Sequence, residues 1–387
     1  LKITDADPGL RFELEATLAD LALTGSATRH EDGLQFQASI PHLDRVGRAF
    51  AVKGLPADTL ELTGGLGSDD GAMLVQDVNA SLAGVEIALN GRVGPAASEA
   101  QLHITAVTDN VSGLRETLPP IPINIDLNAE VAPGVTKLRD IKLKVADSDL
   151  VGDLWISTGK RTSIRGEIRS DLLDLTPLRG EKTDPAGQDQ AKAKEIKQSK
   201  EQPDKYVFTE DPLPLDALQA ADIDLQLNHK RLRLDRVELL DVATTIKLDR
   251  GNLRLSNTYL GPEGGRSSTR LGINAANQPV QFDVDMRSRD LRLNLMSGDI
   301  SDKSLIPKVD ISVALKAVGD SPRAMASSSN GRVLITLGSG QIVNSLVGWF
   351  TGDLTTRLFG LLNPFAEKEE NTTLDCIIVG MDITDGD

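Results

Sequence analysis

The side chains best able to do chemistry are few and irregularly spaced along these 387 residues. The four histidines, His30, His42, His103 and His229, are scattered, and none stands at metal-ligand spacing from another His, a Cys or a carboxylate. The single cysteine, Cys376, excludes an internal disulfide and has no His motif beside it. Carboxylates are abundant but fall at alternate positions, as Asp283 and Asp285 do between Phe282, Val284 and Met286, where strand alternation turns them toward water rather than into an acid/base pair. Gly65-Leu66-Gly67 lacks the third glycine of a dinucleotide loop, and GPEGGR from Gly261 lacks the Lys-Ser/Thr ending of a phosphate loop. Asp69-Asp70-Gly71 lacks the acidic ladder of a calcium loop. The Asn-x-Ser/Thr triplets at Asn79, Asn110 and Asn371 matter only in a eukaryotic secretory setting. The expectation is a protein that is not an enzyme, with no catalytic residues, no metal and no cofactor.

What remains is apolar chemistry. Hydrophobic residues make up 40% of the chain but aromatics only 3%, so its dry surface comes from Leu, Val, Ile and Ala, and rings on which bases could stack are scarce. The formal charge of −15 would repel a duplex or an anionic bilayer unless a local basic patch intervened, and the sequence shows none. Nucleic acid is therefore not an expected partner.

The elements that would position this apolar surface are strands. Period-two alternation is clearest at Ile121, Ile123, Ile125 and Leu127, and recurs at Ile141, Leu143, Val145; Ile223, Leu225, Leu227; Leu232, Leu234; Leu253, Leu255; Phe282, Val284, Met286; and Ile311, Val313, Leu315. These residues are expected to line one dry face, with Gly- and Asp-rich turns such as GGLGSDDG between strands. A faint repeat sets Gly25, Gly91 and Gly152 at separations of 66 and 61 residues, with a further copy around Gly251. SDLLDLTPL from Ser170 and SRDLRLNLM from Ser288 close two such units alike. Residues 178–206, above all Glu181 to Lys205, lack an apolar face and read as a disordered linker or long loop. They separate an N-terminal repetitive β lobe, 1–177, from a C-terminal β lobe, 207–387. One amphipathic helix is expected at about 341–363, where Ile342, Val343, Leu346, Phe350, Leu354, Leu358 and Leu361 recur at three- and four-residue spacing. The fold class is all-β: a long, repetitive antiparallel sheet curled into an elongated apolar groove. No eighteen consecutive residues are apolar, and the opening LKITDADPGL reads as the middle of a structure, so any membrane anchor is expected outside this chain.

Past the linker, Phe208, Pro212, Leu213, Pro214, Leu215, Leu218 and Asp222 resemble a segment of the bacterial AsmA family. Downstream, NGRVLITLGSGQIVNSL from Asn330, Leu362-Asn363-Pro364, Leu374-Asp375-Cys376 and Asp385-Gly386 follow that family's C-terminal order, so the resemblance covers Tyr206 to the end. Residues 1–177 resemble it in repetitive style only, and the chain stops where family members continue. The family is similar in architecture to the TamB-type proteins. That resemblance implies an anchor in the inner membrane, a β-groove in the periplasm of a Gram-negative bacterium, and non-enzymatic phospholipid transport supporting outer-membrane homeostasis. The implied partner is a phospholipid or another acyl-chain lipid.

Two other readings compete. An extracellular adhesin or stalk would also be acidic, repetitive and cysteine-poor, and lipid extraction would separate it from a conduit. A transmembrane β-barrel needs aromatic girdles at both interfaces, which two Tyr and two Trp cannot supply.

Overall fold

A computed structural model describes residues 2–178 and 208–386, apart from 7–8, 19–20, 32, 50–53, 96–98, 116, 235–236, 262–263, 277, 293–302 and 344–370. Strands make up about two thirds of the described residues. It divides into two units, Leu1–Pro185 and Ala186–Asp387.

The first unit is a meander: β1 (Lys2–Ala6), β2 (Gly9–Leu18), β3 (Leu21–His30), β4 (Gly33–Ile40), β5 (Leu60–Asp69), β6 (Ala72–Leu82), β7 (Val85–Val93), β8 (Ala100–Thr108), β9 (Ile123–Ala132), β10 (Val135–Val145), β11 (Ser148–Ser157) and β12 (Thr162–Ser170). Each of these pairs antiparallel with the next. A short helix α1 (Leu43–Ala49) interrupts the β4–β5 connection, and β13 (Leu173–Asp174) returns to β11, where Asp174 N–H donates to Ser148 Oγ at 2.8 Å.

The repeat has a structural meaning here. Gly25, Gly91 and Gly152 lie on β3, β7 and β11, so the period is four strands, or two hairpins. Gly251 is not a further copy, because it closes a tight turn at φ 83°, a left-handed conformation that only glycine adopts freely. A second device keeps the same period. Asp77 on β6 and Asp140 on β10 take positive φ at shifts in strand register, and their N–H groups donate to Asn90 Oδ1 (2.7 Å) and Asp153 Oδ1 (3.0 Å) on the following strands. Each is a β-bulge with its orphan donor satisfied, which bends the sheet at regular intervals.

The second unit begins with the short helix α2 (Ala217–Ala220) and continues as β14 (Ala221–Leu234), β15 (Val237–Asp249), β16 (Asn252–Leu260), β17 (Arg266–Asn274), β18 (Gln281–Leu291), β19 (Val309–Val318), α3 (Pro322–Ser327) and β20 (Asn330–Leu337). Its strands also form a consecutive antiparallel ladder, extended past β20 by β23 (Ile377–Ile383). Between them β21 (Gly340–Val343) pairs with β22 (Asn371–Leu374). The helix expected from residue 341 therefore does not begin there: Ile342 and Val343 are strand residues, held opposite Thr372 and Asn371. Leu346, Phe350, Leu354, Leu358 and Leu361 lie outside the described residues, as does the linker segment Glu181 to Lys205.

Two small clusters close the long edges of this second sheet. At one, Ala275, Val280 and Phe282 are buried beneath Leu213, Leu215, Leu218 and Met325. The Pro-Leu-Pro-Leu motif is thus a lid, tied down by Leu213 N–H donating to Asp320 O (2.7 Å) and by Arg323, which bonds Phe208 O. Phe208 itself is exposed. At the other edge Leu291, Ile306, Val309 and Leu337 are buried. Phe282→Ala empties the first cluster and is expected to cost about 3 kcal/mol. Urea denaturation checks it, and a loss under about 1 kcal/mol would mean that the lid does not anchor the sheet.

Candidate apolar binding face

Cross-strand register shows which side chains share a face. In the second unit one row runs Ile223, Leu248, Leu253, Ile273, Phe282, Ala317, and the next runs Leu225, Ile246, Leu255, Leu271, Val284, Leu315. Every neighbour in these rows is a direct strand partner, so two unbroken apolar tracks cross six strands. At about 4.8 Å between strands, each track is roughly 24 Å long.

The next rows change character partway. Leu227 is followed by Thr244, Asn257 and Thr269 before Met286, Val313 and Val333 restore apolarity. Asn257 Nδ2 donates to Thr244 Oγ1 at 2.7 Å. Beside them Ser267 and Ser288, both buried, share a hydroxyl contact of 2.8 Å, and the row resumes with Ile311 and Ile335. Over β15–β18 the face is therefore split lengthwise, apolar on one side and hydroxyl- and amide-bearing on the other.

In the first unit, Ala106, Ile125, Leu143 and Leu150 form one row, Ile104 faces Leu127, and Leu102, Ala129, Leu138 and Leu154 form another. Val145 pairs with Ile123, and Ile141 pairs with Gly152 just past the Asp140 bulge. Ile121 precedes the strand and sits in the turn where its carbonyl accepts from Val111 N–H (3.0 Å). In the second unit Leu232 and Leu234 pair with Leu239 and Val237. The sequence pattern missed β15 and β17, whose alternation is broken by a bulge at Asp241 and by RSST.

Along these strands the apolar residues are half-buried, except for the buried Leu248 and Phe282, while their sequence neighbours Asp224, Gln226, Arg254, Ser256, Asp283 and Lys316 are exposed. Among the described residues only fourteen hydrophobic side chains fall into the buried class, five of them in the first unit, and no second sheet is packed on the face. A sandwich of this many strands would have buried most of both rows.

In each unit, taken by itself, the opposite face is ionic. Lys142 reaches Asp126 (3.4 Å), Lys137 reaches Glu130 (3.4 Å), Arg270 reaches Asp285 (3.3 Å), and Arg332 clasps Asp382 through two hydrogen bonds. Such exposed pairs add little stability but favour one register. Arg332 holds the Asp382 carboxyl below the usual range, and Lys308 does the same for Asp290. Both groups are on the surface. Among the described residues no set of three His, Cys, Asp or Glu side chains is placed to hold a metal ion, and no helix is long and apolar enough to cross a membrane.

The comparisons with known proteins agree with one another. The chain is 24% identical over 259 residues to AsmA family protein YhjG of Escherichia coli strain K12, a match covering 64% of this chain and 37% of that protein. The chain thus spans well under half of that relative's length. No solved structure matches. The AsmA family model matches residues 97–349, which extends the family region upstream of Tyr206 into β8–β12 and stops short of β22 and β23. With that model covering more than half of its length, the chain belongs to the AsmA family.

Proposed function

We propose that this chain holds the acyl chains of a phospholipid along its aliphatic rows and serves in lipid transport between membranes, without catalysing a reaction. One observation carries the reading: a continuous apolar face, several strands long, over which no second sheet is packed among the described residues. Burying about 14 methylenes there at roughly 0.8 kcal/mol each would contribute about 11 kcal/mol, ample to hold a lipid. The lengthwise split supports an amphipathic ligand, with tails along the Leu225 row and polar atoms near Asn257. The AsmA family is membrane-associated, bacterial and linked to outer-membrane assembly or lipid transport. Placement in the periplasm, with an inner-membrane anchor outside this chain, is part of the same proposal.

A photoreactive residue scanned along two strands tests it. Crosslinks to lipid acyl chains are expected from Leu253, Leu255, Val284 and Met286 and not from Arg254, Ser256, Asp283 or Asp285. Equal labelling from both sets, or none from either, contradicts the reading.

A further inference from the structure

Charge on the ionic face is not evenly mixed. On β17 and β18, Arg266 and Arg289 are direct strand partners, and Arg287 lies two residues along, opposite Ser268. Like charges set directly opposite destabilise a sheet. Apart from one basic pair, the other directly opposed charges of this unit carry opposite signs, as Arg270 does with Asp285, Arg332 with Asp382 and Asp283 with Lys316. That basic pair, Lys247 opposite Arg254, has Asp224 on its far side at 4.0 Å. The acids near the arginine pair are already engaged. Asp290 accepts from Lys308 at 2.9 Å and feels Arg266 and Arg289 only through space, and Asp285 is shared between Arg270 and Arg287 at 3.3 and 3.6 Å. Neither Arg266 nor Arg289 forms a salt bridge among the described residues.

The same three arginines line a concavity of about 560 Å³ together with Asp241, Thr258, Ser267 and Ser268 and the apolar bodies of Tyr259 and Leu260. Thr258 pairs with Ser268 and Ser268 with Arg287, so two hydroxyls lie in line with the guanidinium groups. A surplus of positive charge at one hollow of a chain with net charge −15 corrects the sequence expectation that no basic patch exists. It was hidden because its members are spread over β16–β18 at alternate positions, and no basic run marks it.

We propose that this hollow is a binding site for a phosphate-type anion. A guanidinium fork matches the paired oxygens of a phosphate, and a doubly charged, many-oxygen group can satisfy forks arriving from two strands and accept from the hydroxyls between them. A local rule of sheet stability is broken where such a ligand would repair it. The site lies on the ionic face and does not depend on the acyl-chain reading. The phosphate comes either from a soluble phosphate compound or from an anionic lipid headgroup.

The test uses the whole chain at low salt. Inorganic pyrophosphate should bind saturably by calorimetry and raise the thermal midpoint, because a ligand held only by the folded state stabilises it. Arg266→Gln and Arg289→Gln should each weaken that binding at least tenfold, while Arg332→Gln leaves it unchanged. Because either variant removes a like-charge contact, its ligand-free midpoint should equal or exceed that of the parent, which separates lost binding from lost folding. Flotation with phosphatidylglycerol vesicles against phosphatidylcholine vesicles identifies the source. Arginine-dependent flotation assigns a headgroup, and pyrophosphate binding without flotation assigns a soluble phosphate. Absence of saturable, arginine-dependent binding in both arms overturns the site, as does citrate binding as tightly as pyrophosphate, which would mark it for carboxylates.

Discussion

Gly91→Ala is expected to destabilise the N-terminal unit by about 3 kcal/mol or more, the combined cost of backbone strain and overpacking. Gly91 has φ 150°, and a Cβ built there would lie 2.0 Å from the Gln101 carbonyl oxygen and 2.9 Å from Leu102 Cα. The obstacle is the backbone of the next strand, which cannot rotate aside, so β7 and β8 would have to part. Its four-strand counterpart Gly152 meets the Glu167 carbonyl oxygen at the same 2.0 Å. Two controls separate crowding from conformation. Gly84 takes φ 76° with open space around it, so Gly84→Ala should cost only about 1 kcal/mol. Gly159 is equally open without that constraint, and alanine there should be neutral within about 0.5 kcal/mol. Urea denaturation followed by circular dichroism ranks the three, and a Gly91 variant as stable as the Gly159 variant would contradict the account of the repeat.

Much of the fold is legible in the sequence because a half-buried strand must alternate. Ile223, Leu225 and Leu227 announce their face without help, and the register places them beside Leu248, Ile246 and Thr244. What alternation hides is the bulge. Asp77, Asp140 and Asp290 take left-handed backbone in mid-sheet, each with its N–H accepted by a side chain from the following strand, at Asn90, Asp153 and Asp310. An aspartate at such a place reads in sequence as one more solvated acid. Period alone also misjudged residues 341–343. Ile342 and Val343 satisfy a helical spacing, but β-branched neighbours after a glycine suit a strand as well, and pairing with Asn371 and Thr372 decided it.

The site was less legible than the fold. Sequence identified the aliphatic residues but had no means of ordering them into rows, since that order depends on partners 5 to 35 residues away. The polar stretch at Thr244, Asn257 and Thr269 needs three strands in register to exist at all. The arginine hollow needs the same, and both lie within the family-matched region.

Placing one charge on the aliphatic rows separates a binding face from an ordinary core. Leu225 and Val284 are half-buried, with strand partners Ile246, Leu271 and Leu315. In a packed sandwich Leu225→Asp or Val284→Arg would strand a charge in the interior and cost several kcal/mol, about 3 or more. On an uncovered face the new charge stays hydrated while no lipid is bound, so the fold should lose about 1 kcal/mol or less. Bound acyl chains would strip that water away without supplying a partner, and occupancy should collapse.

The decisive measurement is phospholipid recovered per mole of purified protein, for the parent chain and for Leu225→Asp and Val284→Arg, each with its thermal midpoint. Lipid in the parent, a near-parental midpoint in both variants and at least a tenfold loss of lipid from them is the predicted result. A parent chain free of lipid whose variants unfold, or folded variants that carry as much lipid as the parent, would contradict the assignment of this face to acyl chains.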